Sequence, residues 1–105
     1  MSIRKEIEET YPDSPLSFMS EEEYDDAIIG VAEGCGEAYK LVYDYDKVIE
    51  INMSMGMTEL DALEHFSYNQ IGAYVGDHTP LFLKRFENGN KIKFKKTKRH
   101  LALIR

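Results

Sequence analysis

The stretch Ala38-Tyr39-Lys40-Leu41-Val42-Tyr43-Asp44-Tyr45-Asp46-Lys47-Val48-Ile49-Glu50-Ile51 passes from one hydrophobic period to another. Tyr39, Leu41 and Tyr43 alternate, which reads as a short strand over 38–43. Asp44 or Asp46 can then cap a helix over about 45–54, in which Val48, Ile49, Ile51 and Met55 supply apolar positions and Gly56 the stop. A strand running straight into a helix points to an α+β chain, and the flanking sequence extends that reading in both directions.

Toward the C-terminus, Thr58 with Asp61 three positions on resembles a capping box, and it predicts a third helix over 59–72 with Leu60, Leu63, Phe66 and Ile71 facing inward. Gly72 and Gly76 loosen its end and Thr79-Pro80 closes it. From Leu81 the period becomes 2. Leu81 to Phe86, then Asn88-Gly89, then Lys91 to Lys95 predict a β-hairpin over 81–96, because Asn-Gly accepts the positive φ values of a type I′ turn. A two-residue loop pairs Leu83 with Phe94, whereas a three-residue loop pairs Phe86 with Ile92 and Glu87 with Lys91. Leu101 to Ile104 read as a final strand or a packed tail.

Toward the N-terminus, Ser20 and Glu23 have capping-box spacing, and Tyr24, Ala27, Ile28, Val31 and Ala32 fall on one helical stripe, which predicts a helix over 21–33 stopped by Gly34-Cys35-Gly36. Residues 2–11 read as a short helix or frayed arm, closed by the turn segment Pro12 to Pro15. The expected architecture is therefore an N-terminal arm over 1–19 and a single α+β domain over 20–105. About three helices pack on a small antiparallel sheet that includes the C-terminal hairpin.

The 105 residues, 43% hydrophobic and 30% charged, suit one globular domain. Net charge is −6, but it is unevenly placed: residues 1–83 hold eighteen acids and four bases, a net of −14, and residues 84–105 hold nine bases and one acid, a net of +8. Either the basic end folds back over the acidic body, or it forms a binding stripe. The single cysteine, Cys35, permits no internal disulfide, and no apolar run has the length of a secretion signal or a membrane span, so a cytoplasmic protein is expected.

No catalytic set assembles. Asp61 and His65 stand at i, i+4 as some metal pairs do, but without a further ligand cluster they read as a solvated helix face, and no metal or cofactor is expected. Cys35, placed behind a predicted helix C-terminus, would have its thiol pKa raised, which disfavours a nucleophile. The run Asn69 to Pro80 is denser in glycine, aromatic and polar residues than a connection requires. Tyr74, Gly76, Asp77, His78 and Thr79 form a candidate small-ligand or enzymatic site there, with Asp77 and His78 able to pair. Its alternative is a plain helix exit with Tyr74 packed in the core. Lys91, Lys93, Lys95, Lys96, Lys98 and Arg99, interleaved with Phe94, form a basic patch able to follow a phosphate backbone, or else an edge strand whose lysines face water.

Three patterns over about residues 24–83 resemble those of a group of small uncharacterised proteins encoded by tailed phages and prophages. They are Tyr43-Asp44-Tyr45-Asp46-Lys47, Gly56-Met57 with Ala62, and Asn69 through Gly72-Ala73-Tyr74 and Gly76 to Thr79-Pro80. The resemblance implies a phage origin and expression in a bacterial host; no activity comes with it. The expectation is a non-enzymatic accessory protein that binds a host or phage protein through its acidic helical face, modulating host processes or defence. Nucleic-acid binding through the basic C-terminal segment and a small-ligand site around Tyr74 to Thr79 are the alternatives.

Overall fold

A computed structural model describes residues 2–73 and 75–86. Helix α1 (Ile3–Thr10) is followed by an extended segment and a 3₁₀ segment (Glu22–Ala27). Strands β1 (Ile28–Ala32) and β2 (Lys40–Asp44) come next, and helix α2 (Tyr45–Ser54) follows β2 directly. Helix α3 (Glu59–His65) runs on into a π-helical turn (Phe66–Gln70), and β3 (Leu81–Leu83) ends the described elements. The fold is α+β, with a three-stranded sheet in the order β1-β2-β3.

The strand-to-helix passage at 38–54 forms where its periods place it. Leu41 and Tyr43 are buried on the sheet face turned to the helices, and Val48, Ile49 and Ile51 meet them from α2. Asp44 is the N-cap of α2, yet its carboxylate makes no capping bond; Oδ2 instead pairs with Arg85 at 3.2 Å. Thr58 does cap α3, its hydroxyl accepting from the Asp61 N–H at 3.1 Å.

The predicted helix over 21–33 does not form. Its first half is the 3₁₀ segment, whose i, i+3 geometry suffices to bury Tyr24 and Ala27 together. Ser20 caps nothing, since Glu21 occupies the N-cap position without a side-chain bond. The second half is β1: Ile28, Ile29 and Val31 are β-branched and Gly30 is a poor helix former, so the run favours extended backbone. Ile28 stands opposite Tyr43 and Val31 opposite Leu41, with a bulge between Ile28 and Gly30 that leaves Ile29 exposed. Spacing of 24, 27, 28 and 31 satisfied both descriptions; the pairing of this β-branched run with β2 decides between them. Gly34-Cys35-Gly36 consequently turns a hairpin rather than ending a helix. Gly36 takes φ +76° there, and exposed Cys35 has no helix dipole behind it.

The sheet is mixed, which corrects the antiparallel expectation. β1 and β2 are antiparallel, whereas β3 lies parallel to β2, with Val42 opposite Leu81 and Asp44 opposite Leu83. The helices between β2 and β3 form the crossover that a parallel pair needs. The remainder of the predicted hairpin, from Glu87 through Asn88-Gly89 to Lys96, lies outside the described residues.

The α3 face is also rotated from its expected setting: Ala62 and Phe66 are buried, but Leu60 is 63% exposed and Ile71 50%. The Ile71 N–H reaches back five residues to the Phe66 carbonyl at 2.8 Å. Beside this wider turn Gln70 meets Asn52 and Ile71 is left facing outward. Phe66, in turn, meets Tyr45 and Phe82 edge-on at 4.9 Å from each, and Phe82 stacks on Tyr43 at 5.7 Å.

Among the described residues one polar side chain, Asn52, lies fully inside this core. Asn52 of α2 is 0% exposed, and all its hydrogen-bonding capacity is used. Its Oδ1 accepts from the Tyr24 hydroxyl at 2.5 Å and from Gln70 Nε2 at 3.2 Å, while Nδ2 donates to the Ala62 carbonyl at 3.2 Å and to Gln70 Oε1 at 2.9 Å. A single side chain thus joins the 3₁₀ segment, α2, α3 and the π turn. At the other margin, Arg4 of α1 donates through Nε to both Asp25 oxygens (3.0 and 2.8 Å) and through an amino group to the Met19 carbonyl, with Phe18 4.8 Å beneath it. No helix among the described residues is long and apolar enough to cross a membrane.

Candidate functional site

Of the residues singled out between 74 and 79, Tyr74 lies outside the described residues. The others form a tight turn. Gly76 adopts φ +108°, a conformation in which any side chain would be strained. The Thr79 hydroxyl accepts from the Val75 N–H at 2.9 Å and donates to the Gly76 carbonyl at 2.6 Å, so both its functions close the turn. His78 Nδ1 lies 2.7 Å from the Tyr39 carbonyl, which can only accept, so the proton is on Nδ1 and the ring fastens this turn to the start of β2. Asp77 is exposed and makes no ion pair with His78. The turn is built mainly to position backbone.

What the turn positions is one wall of a cleft of about 280 Å³. Val75, Thr79 and Pro80 line it on this side, Phe82 comes from β3, Phe18, Met19, Ser20 and Glu21 come from the segment before the 3₁₀ turn, and His65, Asn69, Gln70 and Ala73 come from the end of α3 and beyond. Gln70 is held in place by Asn52. Asn69 Nδ2 donates to His65 Nδ1 at 3.1 Å, which leaves the imidazole proton on Nε2 as a donor. The volume lies near the lower end of small-ligand pockets. Phe18 and Phe82 line it together with the Asn69 and Gln70 amides, the His65 imidazole and the carboxylate-bearing Glu21.

The sequence reading overlaps this cleft through Asn69 to Pro80 but misses Phe18, Met19 and Glu21, which come from the far side of the fold. Nothing in local spacing links residues about fifty positions apart. Asp61 and His65 gain no third partner, and the described residues contain no group of three or more histidine, cysteine or acidic side chains suited to a metal ion. The basic patch Lys91, Lys93, Lys95, Lys96, Lys98 and Arg99 lies outside the described residues.

Charge is the other property of the surface. The described residues carry eighteen acids against six bases, a net of −12. Four of those bases are already engaged with carboxylates: Arg4 with Asp25, Lys40 with Glu37, Lys47 with Glu50 and Arg85 with Asp44. Lys84 lies over the Tyr45 ring at 4.7 Å. Glu21, Glu22 and Glu23, at the cleft margin and just beyond it, are exposed and make no ion pair among the described residues. Comparison with protein-family models, with curated proteins and with solved structures found no match.

Proposed function

We propose that this chain is a small acidic accessory protein of the phage type that acts by binding a host or phage protein rather than by catalysis. The observation that carries the reading is the acidic excess of the described residues, a net of −12 in a chain of net −6, with four of their six cations spent on internal pairs. Such a surface attracts a cationic patch, including the kind that otherwise binds nucleic acid, and complementary potential both speeds encounter and selects partners. The cleft adds a place for a lysine or arginine side chain: its aliphatic stem can lie against Phe18 and Phe82 while Glu21 supplies negative charge.

The test is affinity capture from phage-infected host lysate, with and without nuclease, comparing the natural chain with a Glu21→Lys, Glu22→Lys, Glu23→Lys variant. A protein retained after nuclease and lost with the variant supports the reading. Capture that disappears with nuclease, or that ignores the reversed charges, refutes it.

A second reading, small-ligand binding in the cleft, is favoured by the oriented His65–Asn69 pair. A ligand that raises the melting temperature of the natural chain but not of Asn69→Ala supports it, since binding to the folded state stabilises by mass action.

A further inference from the structure

We propose that the outer edge of β1, with the groove beside α1, receives an extended lysine- or arginine-bearing segment of the protein partner as an added strand. This rests on the proposal that the partner is a cationic protein, and it states how the main chain of that partner is held. Among the described residues β1 lies at the end of the sheet order, with β2 as its one strand neighbour. Past the Ile28 N–H, which bonds to Asp25, the segment from Ile29 to Ala32 makes no hydrogen bond on its outer side among the described residues. Unpaired edges of this kind are templates for strand addition.

A bare edge gives main-chain affinity without selectivity. Here the edge is flanked. Between it and α1 runs a groove of about 310 Å³, lined by Ile3, Ile7 and Tyr11 on the helix side and by residues 28–31 on the strand side. An added strand directs alternate side chains to one face, and this groove offers them an apolar wall. Glu6 also lines the groove, so the same channel favours a cationic neighbour. Ile29, pushed out by the bulge and 45% exposed, extends the apolar contact beyond the edge.

Charge complementarity selects the occupant. Pairing two copies of the chain edge to edge would bring two chains of net −6 together through their acidic described regions, whereas a lysine-rich strand of a partner meets opposite charge. Among the described residues the outer side of β3 offers a shorter edge, since that strand has three residues.

Fluorescence anisotropy with the full chain and a labelled nonapeptide of alternating lysine and valine tests the proposal. Two further peptides carry backbone N-methyl groups, one on every valine and one on every lysine. An edge strand uses only alternate N–H groups of its guest. One N-methylated series should therefore lose affinity by about tenfold or more, and the other should keep it. Glu6→Lys should weaken the parent peptide by about threefold or more, as reversal of one nearby charge implies.

Equal tolerance of both series, or loss with both, overturns strand addition. If that peptide binding still disappears with Glu21→Lys, Glu22→Lys, Glu23→Lys, the acidic-surface reading survives without it. No binding of the parent peptide overturns the docking site, and whether the acidic surface has a partner is then decided by the lysate comparison alone.

Discussion

Replacing Asn52 by Leu keeps the volume of the side chain and removes its four hydrogen bonds. The consequence follows from which partners can recover. Gln70 is only half-buried and can turn toward water, and the Ala62 carbonyl keeps its helical bond from the Phe66 N–H. Tyr24 is 2% exposed, and the remaining neighbours of its hydroxyl are the weakly accepting Met55 sulfur at 3.7 Å and the Gln70 side chain, so the hydroxyl is stranded once Gln70 turns toward water. A typical hydrogen bond contributes about 1 kcal/mol net, and a stranded buried hydroxyl costs about 1–3 kcal/mol, so the substitution should destabilise by about 2–4 kcal/mol.

For a domain of this size that is a lowering of melting temperature by roughly 10–25 °C. The assay is urea unfolding followed by far-ultraviolet circular dichroism on four proteins: the natural chain, Asn52→Leu, Tyr24→Phe and the double variant. Tyr24→Phe removes the hydroxyl that Asn52→Leu strands, so the double variant should be less destabilised than the two singles added, by about 1 kcal/mol or more. Additive costs, or a loss below about 0.5 kcal/mol in Asn52→Leu, would falsify the role assigned to this amide.

Burial raises the pKa of Tyr43 above its ordinary value, against the opposing effect of the Met19 N–H that its hydroxyl accepts at 2.8 Å. A group raised in the folded state stabilises fully below its unfolded pKa of about 10 and loses that contribution as pH climbs further; stability should thus fall from about pH 10 upward, and Tyr43→Phe should flatten the decline in a pH series of melting temperatures. Arg4→Ala should cost about 1–3 kcal/mol, measured by denaturant titration, because it breaks a two-bond contact with partly buried Asp25 and uncovers Phe18; recovery in Arg4→Lys should be incomplete. Gly76→Ala should cost about 1 kcal/mol or more in the same titration, since φ there is +108°. Filter binding to single-stranded nucleic acid across a salt series checks the basic segment Lys91 to Arg99: affinity should drop steeply with ionic strength if phosphates are neutralised there, and absence of binding at about 50 mM salt removes that alternative.

The elements that could be read from sequence are those in which period and chemistry agree. Strand 40–44 and helix 45–54 have alternation, then a helical stripe, then a glycine stop, and Thr58 caps α3 as its spacing implies. Where one pattern serves two structures, reading fails. Tyr24, Ala27, Ile28 and Val31 fit a helical stripe as well as a 3₁₀ turn followed by a strand, and only the tertiary pairing of Ile28 with Tyr43 and Val31 with Leu41 separates them. The exposure of Ile71 goes with a π turn in which Gln70 meets Asn52, eighteen residues distant. The parallel setting of β3 is likewise long-range. For the cleft, the wall from 69–80 was visible because its composition exceeds what a connection needs, while Phe18 and Glu21 reach it only through the course of the chain.

The distribution of spent and unspent side chains narrows where function can lie. Thr79 and His78 close a turn and fasten it to β2, Asp25 and Asp44 are engaged with arginines, and Gln70 is locked to Asn52. Removing any of these alters the framework before it alters recognition. Glu6, Glu21, Glu22 and Glu23 take part in none of those contacts; Glu6 and Glu21 each line a concave part of the surface, and Glu22 and Glu23 follow Glu21 in the chain. Unneutralised like charge is a cost to the folded chain through self-repulsion, and a cationic partner relieves that cost on binding. The same carboxylates that contribute least to the fold are therefore those with the most to gain from an external cation. Charge reversal at Glu21 should leave the melting temperature unchanged or raised while weakening the partner, and at Glu6, Glu22 and Glu23, which stand in first helical turns, it should cost no more than about 1 kcal/mol each. A larger drop in stability would mean that these carboxylates belong to the framework.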